Sequence, residues 1–313
     1  MSADGALARA DRPTAGADGV IHDRGYRRYD GPRLGRVQIV RSLCWHSFRS
    51  SFGIGRGPKA KIVPVIAFIA ICLPAVVNAV MVAKGGTRVV SYSTYTFALR
   101  VVVLTIFVAV QAPELVSRDL RSRVLPLYFS RPMRRGDYPL AKYVAFTMAC
   151  LAMIEIPLVL LYLGTIVSAK GHSGIWSETK GLAGGLLIGL MWAVLVAAIG
   201  LALASLSGRR AYATGAIAIY FFLTWTLSQL IYQIAGGRGG PFVPGGPSPG
   251  QRLAGLLSPF TVLDGVRQWF GDKAVGPMSP PGGYGAAYVV MFLVLLAASF
   301  AILAVRYRKA AAA

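Results

Sequence analysis

Residues 62–83 read IVPVIAFIAICLPAVVNAVMVA, twenty-two residues without a charge. A helix needs about 20 mostly apolar residues to cross the hydrocarbon core of a bilayer, and this stretch supplies them. Five more stretches meet the same requirement. They cover 93–113, with Arg100 inside, 141–167, with Glu155 inside, 181–206, 211–235 and 284–305. None alternates with the two-residue period of a membrane β-barrel. The pattern predicts an all-α polytopic membrane protein with six transmembrane helices in a domain over 62–306.

Composition agrees once its parts are weighed together. Lys+Arg outnumber Asp+Glu by 33 to 12 over 313 residues, a net charge of +21 that would suit a nucleic-acid binder. Yet charged residues make up 14% of the chain and hydrophobic ones 55%, with a mean hydropathy of +0.57. A soluble domain carries about 25% charged residues, so the cover a soluble basic protein needs is missing. The cations are also unevenly placed. With six spans both termini share a side, and that side holds 24 of the 33, against 8 on the opposite side. Positive segments resist translocation, so both termini are predicted cytoplasmic in a multi-pass plasma-membrane protein, with no nucleic-acid partner.

Outside the spans, 1–33 is polar and rich in Gly, Asp and Arg, and is predicted to be a disordered cytoplasmic tail. It lacks the apolar run of a cleaved secretory signal, so the first span is expected to direct insertion. Over 34–61, Leu34, Val37, Val40, Cys44, Phe48 and Phe52 recur at helical spacing, with Arg36, Arg41 and Arg49 elsewhere on the wheel. That is an amphipathic helix, lying either in the inner membrane interface with its cations toward anionic lipid or against cytoplasmic protein. The long outer loop 236–283 begins Gly/Pro-rich and then gives a short amphipathic piece, LLSPFTVLDGVRQWFG. Residues 307–313 form a cytoplasmic tail.

Catalytic signatures do not emerge. His22, His46 and His172 lie on separate segments without ligand-spaced partners, and Cys44, Cys72 and Cys150 suggest neither a disulfide framework nor a metal site. The stretch GIGRGPKA over 53–60 lacks the Gly-Lys-Ser/Thr ending of a phosphate loop and reads as a basic linker. The chain is therefore not expected to be an enzyme or to hold a metal or cofactor.

The most informative segment is QAPELVSRDLRSRVLPLYFSRPMRRGDYPLAK, residues 111–142. Pro113 marks the end of the second span. Glu114, Arg118, Asp119, Arg121 and Arg123 open a charge-dense helix, with an apolar stripe at Leu120, Val124, Leu127 and Tyr128. A basic turn from Ser130 through Arg131, Pro132 and Arg134 then feeds the third span. Such a connection between two membrane helices either transmits a push from a soluble partner or fixes topology alone.

The run S-R-D-L-R-S-R-x-L-P-L-Y-F-S-R-P-M-R-R over 117–135 resembles the loop between the second and third spans of type-2 ATP-binding-cassette (ABC) transporter permeases. Six spans, cytoplasmic ends and the stretch Leu257-Ser-Pro-Phe-Thr-Val-Leu-Asp264 are similar too, and Gly25-Tyr-Arg-Arg-Tyr-Asp-Gly-Pro-Arg-Leu-Gly35 looks like the lead of an actinobacterial subgroup. One departure is Arg123-Val-Leu-Pro126, where many members have Gly-Thr-Leu. The resemblance implies a permease subunit of an ABC exporter, working as a homodimer or with a sister permease. The ATP and Mg would sit in a partner nucleotide-binding ATPase subunit. It also implies that 114–140 docks on that subunit through Glu114, Arg118, Asp119, Arg121, Arg131, Pro132 and Arg134.

Two charges lie within spans. Arg100 is about 20 Å from the inner boundary at Pro113, and Glu155 about 21 Å from Ala141, so consecutive antiparallel helices place them at similar depth. They are expected either to pair, offsetting the cost of burying each, or to be accommodated separately by snorkelling and protonation. Gly181, Gly185 and Gly189, four apart, allow close helix packing within one subunit or across a dimer. The alternatives to an ABC permease are a stand-alone ion- or proton-coupled transporter, with Arg100 and Glu155 as its coupling site, and a membrane enzyme or scaffold.

Overall fold

A computed structural model of the protein describes residues 31, 35–84, 100–122, 128, 133–134, 136–167, 171–236, 248–270 and 282–312. They are helical. In chain order the helices are α1 (Arg36–Ser51), α2 (Lys59–Ala83), α3 (Thr105–Arg121, preceded by a π-helical turn over Arg100–Leu104), α4 (Asp137–Ile166), α5 (Gly171–Leu206), α6 (Arg210–Gly236), the short α7 (Pro249–Ala254), α8 (Pro259–Trp269) and α9 (Gly285–Ala312). Among them α2, α4, α5, α6 and α9 are long and apolar enough to cross a membrane. The remaining predicted span, 93–113, falls partly outside the described residues. So do the tail 1–33 apart from Gly31, and much of the connection 236–283.

The five long helices divide into a centre and a rim. More than half of the apolar stretch of α4 and α5 is buried inside the protein, against 22% for α2 and 17% for α6 and α9. The outward faces of the rim helices carry Ile62, Ile66, Ile69 and Leu73 on α2, and Ile219, Leu223, Leu230 and Ile234 on α6, all exposed. Water would penalise that surface, whereas hydrocarbon matches it.

Small residues set the close approaches. A side chain on Gly164 would strike Ala79, which fixes the α2–α4 contact, and one on Gly200 would strike Val108 where α3 crosses α5. Gly189 and Gly185 face α4, against Glu155 and Ile154 in the first case and Leu158 in the second. Gly181 is half-buried farther along α5. Gly185 and Gly189 thus pack α5 on α4 within one chain. Between these contacts, the Phe107 and Phe146 rings stack at 6.1 Å and Phe52 meets Phe107 at 6.0 Å, joining α1, α3 and α4 into one core.

Three segments depart from the hydropathy reading. Helix α5 starts at Gly171, ten residues before the apolar run, because the polar stretch HSGIWSETK contains no proline, and its single Gly174 weakens a helix without ending it. At about 1.5 Å per residue its 36 residues reach about 54 Å. Helix α1 packs along α4 and α3 through Leu43, Ser47 and Ser51, while Val37 and Trp45 point outward. Helix α8, the amphipathic piece of the 236–283 connection, is buried on every side from Pro259 to Arg267. Its Phe260 sits among Trp192, Phe221 and Trp225 at 5.3–6.0 Å.

Candidate functional site

The ends of α1, α3, α4, α5, α6 and α9 meet at one pole of the bundle, where three carboxylates are each held by cations from other segments. Glu114, on α3, is the most shared. Its Oε2 takes Arg56 Nη1 at 2.6 Å, and its Oε1 takes Arg210 Nη1 at the start of α6. Arg56 also donates to Gln111 Oε1 at 3.1 Å and to the Ser50 carbonyl. Local backbone geometry explains how Arg56 gets there. Gly53 and Gly55 have φ of +72° and +86°, the left-handed region that glycine enters without strain, and a Cβ on Gly53 would meet the Ala60 carbonyl oxygen at 2.6 Å. The linker therefore turns sharply and tucks Arg56 beneath the end of α3, leaving its side chain 16% exposed.

Asp119, one and a half turns on, receives Lys142 Nζ at 2.8 Å and the Tyr138 hydroxyl, both from α4. Lys142 is 8% exposed, so its charge depends on this partner. Asp137, at the first turn of α4 and ahead of the apolar stretch, is gripped by Arg36 of α1 through Nε at 2.6 Å and Nη2 at 2.5 Å. The Arg134 amide donates to it as well, at 2.9 Å. Hydrogen bonds from the Arg36 guanidinium hold the Asp137 carboxyl down at about 2, with the Arg134 amide assisting against partial desolvation. The same pair raises Arg36.

Polar side chains also close the C-terminal end of α5, whose last carbonyls have no partner within the helix. Ser117 Oγ donates to the Ala204 carbonyl at 2.8 Å, and Arg306 Nε, from α9, donates to that of Ser205 at 2.9 Å. An aromatic ladder runs beside these bonds. Tyr128 from the connection after α3 meets Tyr138 at 5.2 Å, and Tyr138 meets Tyr307 of α9 at 5.5 Å.

The residues singled out from sequence therefore take different places. Glu114 and Asp119 are consumed inside the protein. Arg121 and Arg134 are exposed. Arg131 and Pro132 lie outside the described residues, as does the side chain of Arg118. Arg121 lines a cleft of about 440 Å³ together with Pro113, Glu114, Ser122, Gly208 and Arg210, between the end of α3 and the α5–α6 turn. With its one acid already neutralised, this cleft presents cations. It suits an acidic group brought by another molecule. In the middle of the bundle, Glu155 rests against Gly189, a Cβ on which would lie 2.8 Å from Oε1. The Arg100 side chain is outside the described residues.

Sequence reading missed Arg36, Arg56, Asp137, Tyr138, Lys142 and Arg210. One signal was available. Only seven acidic residues follow position 30, so each carboxylate near the positive end is outnumbered and expected to be bound. Which cation binds which acid depends on partners 23 to 101 residues apart, and spacing does not reveal that. Comparison of the chain with protein-family models and with curated proteins returns no match.

Proposed function

We propose that the chain is the membrane-spanning permease subunit of an ABC exporter, driven by ATP that a separate nucleotide-binding subunit binds with Mg and hydrolyses. In this reading six helices cross the plasma membrane, the sixth span being 93–113 completed by the start of α3. Both termini and the charged pole face the cytoplasm, and α1 lies along the inner interface. Two such chains, or this one and a sister permease, complete the pathway.

The observation that carries the reading is the way α3 ends. Glu114 and Asp119 connect the start of the 114–140 segment to the α1–α2 linker, to α4 and to α6 at once. A segment so connected cannot move alone. The partner subunit engages the exposed cations Arg121 and Arg134. When ATP draws two partner subunits together, the displacement passes through Asp119 to α4 and through Glu114 to α6 and α2, tilting rim helices against the α4–α5 centre. Nothing chemical is asked of this chain. Its residues carry force, and the charge-dense S-R-D-L-R-S-R run is the same segment whose resemblance suggests the family.

The reading is tested by co-expressing the chain with an ATPase subunit encoded beside it and purifying on a tag carried by the chain alone. The ATPase is expected to co-purify in equal amount and to hydrolyse ATP, while the chain alone hydrolyses none. Robust hydrolysis by the isolated chain, or transport sustained by an ion gradient with no ATP, would overturn it.

A further inference from the structure

A groove of about 590 Å³ lies between the first two turns of α4 and the last turns of α9, on the outer surface beside the charged pole. Leu140 and Tyr143 form one wall and Phe300, Leu303 and Tyr307 the other, with Arg308 at the polar mouth. From Gly136 to Tyr143 and from Arg308 back to Phe300 the groove follows each helix for about 10–12 Å. It therefore descends from the charged end into the apolar zone. At its deep end the Tyr143 and Phe300 rings close the floor, edge to face at 4.8 Å. Leu140 stays 55% exposed and Phe300 37%, so each wall has one large apolar side chain left uncovered by the chain itself, while Leu303 and Tyr307 are buried beneath.

The charge at the mouth is one-sided. Arg308 makes no hydrogen bond or ion pair among the described residues, and Lys309 follows it. The acids at this end of α4 are already taken, Asp137 by Arg36 and the Arg134 amide and Asp119 by Lys142. We propose that this groove binds one anionic phospholipid of the inner leaflet, its phosphate at Arg308 and an acyl chain laid along Leu140, Tyr143 and Phe300. Charge complementarity selects the headgroup, since a basic residue at the membrane surface attracts anionic lipid. The closed floor selects the tail. A helix from a second copy is about 10 Å across and does not enter a slot pinched by two rings in contact, whereas a single hydrocarbon chain does. The proposal deepens the reading above and rests only on its membrane placement, not on the ATPase partner.

Native mass spectrometry of the full chain, released from a mild detergent after exposure to phosphatidylglycerol or phosphatidylcholine of the same acyl composition, tests it. The wild type is expected to retain one phosphatidylglycerol, in several-fold preference to phosphatidylcholine. Arg308→Gln should lower phosphatidylglycerol retention about fivefold and leave phosphatidylcholine unchanged. Ala304→Trp, which fills the groove, should abolish retention of both. Leu140→Trp fills it from the other wall, so misfolding of one variant does not remove the test. Retention unaffected by either tryptophan, or a paired chain in place of the lipid, would overturn the proposal. Failure of the ATPase to co-purify leaves this assay intact, so the two readings fail separately.

Discussion

The two poles of the bundle both bury charge, in opposite ways. At the α3 end, three carboxylates join segments up to 101 residues apart. At the other end the buried pair is local. Arg267 Nη2 meets Asp264 Oδ1 at 2.7 Å three residues away on α8, and Gln268 Nε2 donates to the same carboxylate at 2.9 Å. A pair within one helix stiffens that helix. Pairs between helices make several move as one. The first pole is built as a linkage and the second as a plug, seated by Phe260 among tryptophans and by the Tyr288 ring lying over Gly265 and Gly255.

Removing one partner separates these roles, and the plug is expected to suffer most. Asp264→Ala removes the buried carboxylate that Arg267, 6% exposed, and Gln268 both bind, and should cost about 3–5 kcal/mol, read as a fall in melting temperature in detergent. Whatever folds should couple normally. At the linkage pole, Asp119→Ala strands Lys142 and should cost about 3 kcal/mol. The paired replacement Asp119→Asn with Lys142→Met should recover much of that stability while transport per ATP stays low. If coupling returned with stability, the pair would be structural alone. Gly189→Ala, which presses a methyl group toward Glu155 and Ile154, should cost about 1–3 kcal/mol at neither pole and mark the centre as a third kind of region.

The Arg36–Asp137 bond gives the smallest and most conditional effect. Asp137 is depressed in the folded protein, so its contribution is present above the ordinary carboxylate range and is lost as pH falls toward about 2. The difference in melting temperature between wild type and Asp137→Asn should be constant from pH 7 to 5 and shrink below about pH 4. A difference that grew on acidification would reverse this sign.

Much of this contrast was legible in the sequence and some of it was not. Apolar runs disclosed the long helices because hydropathy needs only a local window, but Pro113 does not end a helix and Glu114 does not open one, since α3 runs unbroken through both to Arg121. Helix α8 escaped because its charges, Asp264 and Arg267, make it look amphipathic, and pairing with each other is what allows full burial. The role of Arg56 escaped because a glycine-flanked arginine reads as linker until Gly53 and Gly55 are seen to fold it beneath Glu114. Residues 111–142 were marked as the segment that matters, yet the acids there proved to be internal, leaving Arg121 and Arg134 exposed.

The central claim is that this pole transmits force from a nucleotide-binding partner, and charge reversal tests it most directly. Arg121→Glu with Arg134→Glu, both on the surface, should change stability by no more than about 0.5 kcal/mol each. The chain would be reconstituted with the proposed ATPase subunit in lipid nanodiscs, and bound ATPase and ATP hydrolysis measured. The account predicts an intact, correctly folded variant that loses at least tenfold in ATPase binding. Undiminished binding and coupled hydrolysis in the reversed variant would contradict it.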